Sequence, residues 1–273
     1  MDTTTSADGT DVRVHDEGHG PVILMVGPGL DDGTRTRKLA GVLATRFRVL
    51  RLHRRQYRLD LKTAGGPCSI AQEVEDVLAV AAAVGEPVIV YGHSSGGVVA
   101  LEALAASPPS FAGAVVFEPA AVTGAPLAGA RGEVITRARA ALVAGKPGTA
   151  LAIFMRDTVG MPPWQAWLAG VLTALVPRYR QFVPAQIDDL EALDRLGVRL
   201  DVYARITVPT LLLGGDRSPA HLVDRLDAIA RVMPHAERVV MRKRDHGADL
   251  KAPEHVARVI GTFADNVLHH PSS

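Results

Sequence analysis

Cysteine is nearly absent from the chain. Cys68 stands alone, so no internal disulfide can form, and a reducing cytoplasm is the expected compartment. It has no histidine near it in sequence and reads as an incidental thiol. Aromatic residues make up only 4% against 47% hydrophobic residues overall, so the core must be built mostly from Ala, Val and Leu. An excess of one charge is missing too. The 30 Lys and Arg are balanced by 29 Asp and Glu, which leaves no basic stripe for nucleic acid and no acidic tract for disorder. No apolar run reaches a membrane span before a charge or a proline breaks it. The polar start, Met1 to Ser6, lacks the basic-then-apolar order of a signal peptide. No metal-ligand cluster and no dinucleotide-binding glycine pattern is present, so neither metal nor cofactor is expected. These absences leave a globular protein acting on a small molecule, as monomer or homodimer, with no nucleic acid and no membrane as partner.

What is present is a repeating order of strands and helices. Val12 to Val14 alternates, and Val22 to Val26 is a continuous apolar run; turn signals around them make residues 8–26 read as a hairpin. A helix carrying Leu39, Val42 and Leu43 precedes a strand from Phe47 to Leu52. Ser69 and Gln72 form a capping box for a helix bearing Val74, Val77, Leu78 and Ala81, which Gly85 and Pro87 close. Val88 to Tyr91 is the next strand, followed at once by a helix that Pro108 and Pro109 end; Ala114 to Phe117 is another strand. The alternation then stops. Residues 121–204 hold amphipathic helices, around Val134 to Leu142, Trp164 to Leu175 and Ile187 to Leu193, and read as a helical insert over one end of the sheet. The rhythm resumes with strands at Thr210 to Gly214 and Val239 to Met241 and helices at 220–233 and from Pro253. The order predicts an α/β fold. A mostly parallel central sheet carries helices on both faces, with residues 1–120 and 205–273 forming the core and 121–204 a cap.

In such sheets the chemistry gathers at the carboxyl ends of the strands. The residues there are Gly27 to Gly33, His53 to Arg55, Ser94, Glu118, Asp216 and His246. Gly92 to Gly96 reads G-H-S-S-G between a β-branched strand and a small-residue helix, the context of a nucleophile elbow with Ser94 at its tip. A serine hydroxyl needs a base, a group to orient the base, and donors for an oxyanion. His246, in a short loop after the last strand, is the expected base, with His53 as the fallback. Glu118 closes a buried apolar strand and needs a partner, for which an arginine such as Arg54 or Arg55 is at hand. Arg54, Arg55 and Arg58 cluster near the same end, where they either recognise a substrate anion or pair with Asp31, Asp32 or Glu118.

Taken together, the apolar strand up to Val26, the loop from Gly27 to Gly29, the elbow, the stretch from Pro209 to Pro219 and His246 with Pro253 and Glu254 resemble an α/β-hydrolase with a helical cap. The resemblance spans nearly the whole chain. It implies a catalytic triad of Ser94, His246 and an acid. The family's commonest acid position, at the end of the strand after the cap, is occupied by Ser218, with Asp216 two residues early. Its second location, after the strand that follows the nucleophile helix, holds Glu118. The oxyanion donors implied are the Ser95 N–H and a glycine of the first loop, Gly29 or alternatively Gly27, since Pro28 has no N–H. The usual histidine of that loop is replaced by Val26. The implied activity is hydrolysis of a small, largely apolar carboxylic ester, lactone or thioester through an acyl-enzyme. Alternatives on the same fold are a lyase, a perhydrolase, a cofactor-free cyclase or a non-catalytic ligand-binding protein.

Overall fold

The computed structural model describes residues 2–61 and 68–269. Strands β1 (Asp2–Thr5), β2 (Asp11–Glu17), β3 (Val22–Val26), β4 (Arg48–Leu52), β5 (Val88–His93), β6 (Phe111–Phe117), β7 (Thr210–Gly215) and β8 (Ala236–Met241) form one eight-stranded sheet in the order β1-β2-β4-β3-β5-β6-β7-β8. From β4 to β8 every neighbouring pair is parallel; β1 with β2 and β2 with β4 are antiparallel. The hairpin expected over residues 8–26 is therefore not formed. The β2 strand pairs with β1 and β4, and β3 lies one strand further in, between β4 and β5. The true hairpin is β1–β2, turned at Ser6 to Thr10 with Gly9 at φ 81°. A chain of polar Asp and Thr gave β1 no apolar signature, so its pairing partner could not be read locally.

The helices are α1 (Arg37–Leu43), α2 (Ile70–Val84), α3 (Ser95–Ala106), α4 (Glu133–Val143), α5 (Pro147–Asp157), α6 (Pro163–Leu175), α7 (Pro177–Leu196), α8 (Leu200–Tyr203), α9 (Ala220–Val232), α10 (Ala248–Lys251) and α11 (Pro253–His269). The central strands are apolar throughout because both their faces are covered. Alternate side chains go to opposite layers. Ile23, Met25, Ile89, Tyr91, Val115 and Phe117 pack with Leu39 and Leu43 of α1 and Val256 and Ile260 of α11. Leu24, Val26, Val90, Ala114 and Val116 pack with Val77 of α2, Leu101 of α3 and Leu226 of α9. Each such side chain removed from water contributes roughly 1.5–3 kcal/mol, so these two layers hold the strand ends in place. The Ser69–Gln72 capping box is present, with Gln72 N–H donating to Ser69 Oγ at 3.2 Å and Ser69 N–H to Gln72 Oε1 at 3.0 Å.

Helices α4 to α8 all fall between β6 and β7, where strand rhythm was absent from the sequence. Helix α5 went unread because it opens on Pro147 and Gly148, which are helix breakers elsewhere; at the first turn the proline is tolerated. On α6 the usual placing of an apolar stripe is inverted: Ala166 and Gly170 face the protein, and Trp164 (66% exposed), Trp167 (64% exposed), Leu168, Leu172 and Leu175 face outward. Close contact explains the inversion: only small residues fit where α6 meets α5, and a Cβ on Gly170 would lie 2.3 Å from the Gly148 carbonyl.

Candidate active site

The turn from β5 to α3 is set by two demands. Gly96 has no room for a side chain, since a Cβ there would lie 2.2 Å from the Gly27 carbonyl oxygen and 2.4 Å from that of Val26. Ser94 is held at φ 55°, ψ −121°, a region that costs a side-chain-bearing residue on the order of 1–3 kcal/mol. The surroundings enforce it. Ser94 N–H donates to Phe117 O at 3.0 Å, and its carbonyl accepts from Gly97 and Ala120, each at 3.0 Å. The elbow is thus stitched to the end of β6, and Ser94 is presented to a cavity of about 410 Å³.

His246 lines the same cavity, from the loop between β8 and α10. Its Nδ1 is 2.7 Å from Glu118 Oε2. Glu118 follows β6 directly, is 1% exposed, and accepts the Gly215 N–H on Oε1 at 2.8 Å. An ionised carboxylate can only accept, so the short contact puts the imidazole proton on Nδ1 and leaves the Nε2 lone pair free. Burial alone would raise the Glu118 carboxyl. The hydrogen bond and charge of His246, together with the Gly215 N–H, more than offset it and hold Glu118 below its ordinary value. Burial likewise depresses His246 below 6.5; Glu118 pulls it back up, and the field of Arg35 acts in the same direction as burial.

Of the two candidate acids, the structure brings Glu118 to the imidazole and leaves Asp216 exposed, with its own N–H bonded to Met241 O at 3.1 Å. His53, the fallback base, is half-buried and does not line the cavity. His93, beside Ser94, turns into the core. Its ring stacks on Phe117 with centroids 4.5 Å apart, its Nδ1 is 3.0 Å from Asp249 Oδ2, and its edge meets His246 at 4.7 Å. A second, fully buried histidine–carboxylate pair therefore backs the first. Nothing in the spacing of residues 93 and 249 signalled it.

Ser95 and Gly29 both line the cavity beside Ser94. Ser95 is the first residue of α3, where backbone N–H groups lack helical partners. Gly29 lies tight beneath α7, since a Cβ there would be 2.0 Å from Gln186 Oε1. Gly27 does not line the cavity. Its carbonyl packs behind the elbow and accepts from Arg54 Nη1 at 3.4 Å.

The arginine cluster resolves into internal ion pairs, with partners other than the expected Asp31, Asp32 or Glu118. Arg54 is fully buried. It donates to Glu73 of α2 at 2.6 and 3.0 Å, to Asp189 of α7 at 3.0 Å and to Ser95 Oγ at 2.6 Å, while the Tyr57 hydroxyl donates to Asp189 at 2.9 Å. Burial, with Asp189 close by, raises the Glu73 carboxyl in spite of Arg54. Arg55 pairs with Asp76 and Asp8, and Arg58 with Asp60. None of these arginines lines the cavity. The basic side chains that do line it are Arg35, Arg217, Arg225 and Lys251, which the sequence did not single out. The half-buried thiol of Cys68 is raised by burial, which disfavours the reactive thiolate. Among the described residues no group of His, Cys, Asp or Glu side chains is arranged to hold a metal ion, and no helix is long and apolar enough to cross a membrane.

Comparison with known proteins agrees with this fold. The profile of the Alpha/beta hydrolase family matches residues 22–259. Among solved structures, an alpha/beta hydrolase from Sphaerobacter thermophilus is similar at 27% identity and TM-score 0.75, over 96% of this chain and 99% of that one. A thermophilic esterase from Thermogutta terrifontis is 18% identical with TM-score 0.74, covering 97% of this chain and 98% of its own. An esterase from Rhodococcus sp. is 19% identical with TM-score 0.72, covering 97% of this chain and 98% of its own. No curated protein matches the sequence.

Proposed function

The chain belongs to the Alpha/beta hydrolase family, and from that premise we propose that it is a serine hydrolase cleaving a small, largely apolar carboxylic ester, lactone or thioester through an acyl-enzyme. The observation that carries this reading is the 2.7 Å contact between His246 Nδ1 and Glu118, in the cavity that Ser94 enters from a strained elbow. Ser94 Oγ attacks the carbonyl carbon while His246 Nε2 takes its proton. The imidazolium so formed is held by Glu118. The negative charge on the former carbonyl oxygen is met by the N–H groups of Ser95 and Gly29. Collapse expels the alcohol or thiol, protonated by His246. Water, deprotonated by the same imidazole, then frees the acid and restores Ser94. Residues 121–204 serve as the cap, and their Phe154, Met155, Leu190 and Leu193 give the cavity an apolar wall suited to an alkyl or aryl portion. The compartment we assign is the cytoplasm.

The test is covalent trapping. An organophosphonate ester should add one equivalent of label to the peptide containing Ser94 and abolish hydrolysis of p-nitrophenyl butyrate in step. Hydrolysis that survives full labelling, or label that maps elsewhere, would sink the proposal.

The pH profile follows from His246. The base must be neutral, and burial lowers its ionisation below 6.5. We expect kcat/KM to rise with pH along a limb whose midpoint lies under 6.5 and to be level at neutrality. A midpoint above 6.5 would mean that a different group is titrating.

A further inference from the structure

We propose that the cavity takes an ester carrying a free carboxylate at the end remote from the scissile carbonyl, and that Arg225 of α9 binds that carboxylate. The idea rests on the serine-hydrolase reading for the position of the scissile bond, and on an independent observation for the anion. Of the basic side chains lining the cavity, Lys251 is paired with Asp245 at 2.7 Å, and Arg35 lies 3.7 Å from Asp249. Arg217 is exposed and can be solvated. Arg225 is half-buried, and no carboxylate among the described residues lies within ion-pair distance of it.

The field of Asp194 raises the Arg225 guanidinium. Both Asp194 oxygens are already engaged, accepting the Leu127 N–H at 2.6 Å and the Ala128 N–H at 3.0 Å. Burial depresses the Arg225 guanidinium, as it does when a cation loses water without gaining a counter-ion. Guanidinium stays protonated at any ordinary pH, so the unpaired charge persists. A charge partly removed from water gains from a partner, and here the place open to one is the cavity, where a ligand would sit.

The chemistry of the anion follows from the surroundings. A single guanidinium fork matches the two coplanar oxygens of a carboxylate, bidentately. Arg225 lies one helical turn from Leu222, which lines the cavity with Leu127, Leu190 and Leu193. The ligand this wall accepts is apolar along its length and charged at one tip, as in the half-ester of a medium-chain dicarboxylic acid. The volume of about 410 Å³ is within the range that holds such a molecule.

The test compares p-nitrophenyl hydrogen adipate with its neutral p-nitrophenyl methyl diester. The wild type should favour the half-ester in kcat/KM by ten- to a hundredfold, the worth of a charge-assisted hydrogen-bonded pair. In Arg225→Gln that preference should vanish through the KM of the half-ester, while Arg225→Lys keeps part of it. The Tm of Arg225→Gln should be unchanged or higher, because the variant removes an unpaired, half-buried charge; a structural arginine would give a lower Tm. No preference in the wild type, or a preference that survives Arg225→Gln, overturns the proposal. Calorimetric binding of monomethyl adipate to Ser94→Ala protein, and to the same protein with Arg225→Gln added, decides the subsite without turnover. Binding weakened tenfold or more by Arg225→Gln supports it, and equal binding overturns it. Failure of the hydrolase reading shows separately, as neither ester being turned over by wild type.

Discussion

Replacing Ser94 by alanine is expected to lower kcat on a short-chain p-nitrophenyl ester by about 10⁶-fold, the scale seen when a triad nucleophile is lost. The loss should be confined to turnover. Ser94 Oγ faces the cavity, and the backbone bonds that fix the elbow are made by its N–H and carbonyl, which alanine retains. KM-like binding of a product acid should therefore change little. The check is a steady-state assay on the purified variant alongside its circular dichroism spectrum. Hydrolysis within tenfold of wild type would mean that another group performs the attack, and the mechanism above would be wrong from its first step.

The second large effect is at the acid. Glu118→Gln should lower kcat by about 10⁴-fold, and Asp216→Asn should stay within about twofold. The reason is a matter of tautomers. Glu118 can only accept, so it holds the proton on Nδ1 of His246. A glutamine in its place can turn its NH2 toward Nδ1, and the ring then carries its proton on Nε2, where it cannot take one from Ser94. The Gly215 N–H donates to Glu118 Oε1, which fixes the carboxylate against rotation and makes the position sensitive to its chemistry. Asp216, exposed and remote from the ring, has no such leverage. Steady-state rates of the two variants separate the alternatives, and a collapse in Asp216→Asn alone would move the acid.

The pieces that could be read ahead of the structure were those whose meaning is local. The elbow is set by five consecutive residues and their flanks, and Gly96 proves to be where a Cβ would strike Val26 and Gly27. Likewise His246 and Glu118 each end a stretch of strand pattern, so their place at one end of the sheet followed from chain order. The arginine cluster was opaque for the opposite reason. Arg54 finds Glu73 at 19 residues' separation and Asp189 at 135, and no periodicity encodes a pairing of that kind. The β1–β2 hairpin was missed because an antiparallel edge strand of Asp and Thr buries too little to leave an apolar trace. The inverted face of α6 was hidden because a moment of hydrophobicity shows that a helix has two sides but cannot say which side the neighbour takes. Arg225 carried no signal at all; a lone charge on an amphipathic helix is ordinary until the absence of its partner is seen in three dimensions.

That outward face of α6 has an optical consequence. The chain has two tryptophans, and both are on this helix, more than half exposed to water. With both indoles largely in water, their emission in the folded protein is expected to resemble that of the unfolded chain, leaving intrinsic fluorescence nearly silent on the melting of the sheet. It is instead a reporter for one helix, whose own Gln165, with Met161 and Pro162 just ahead of it, lines the cavity. Anything that settles on or displaces α6 changes the signal, and global unfolding has to be followed through the backbone.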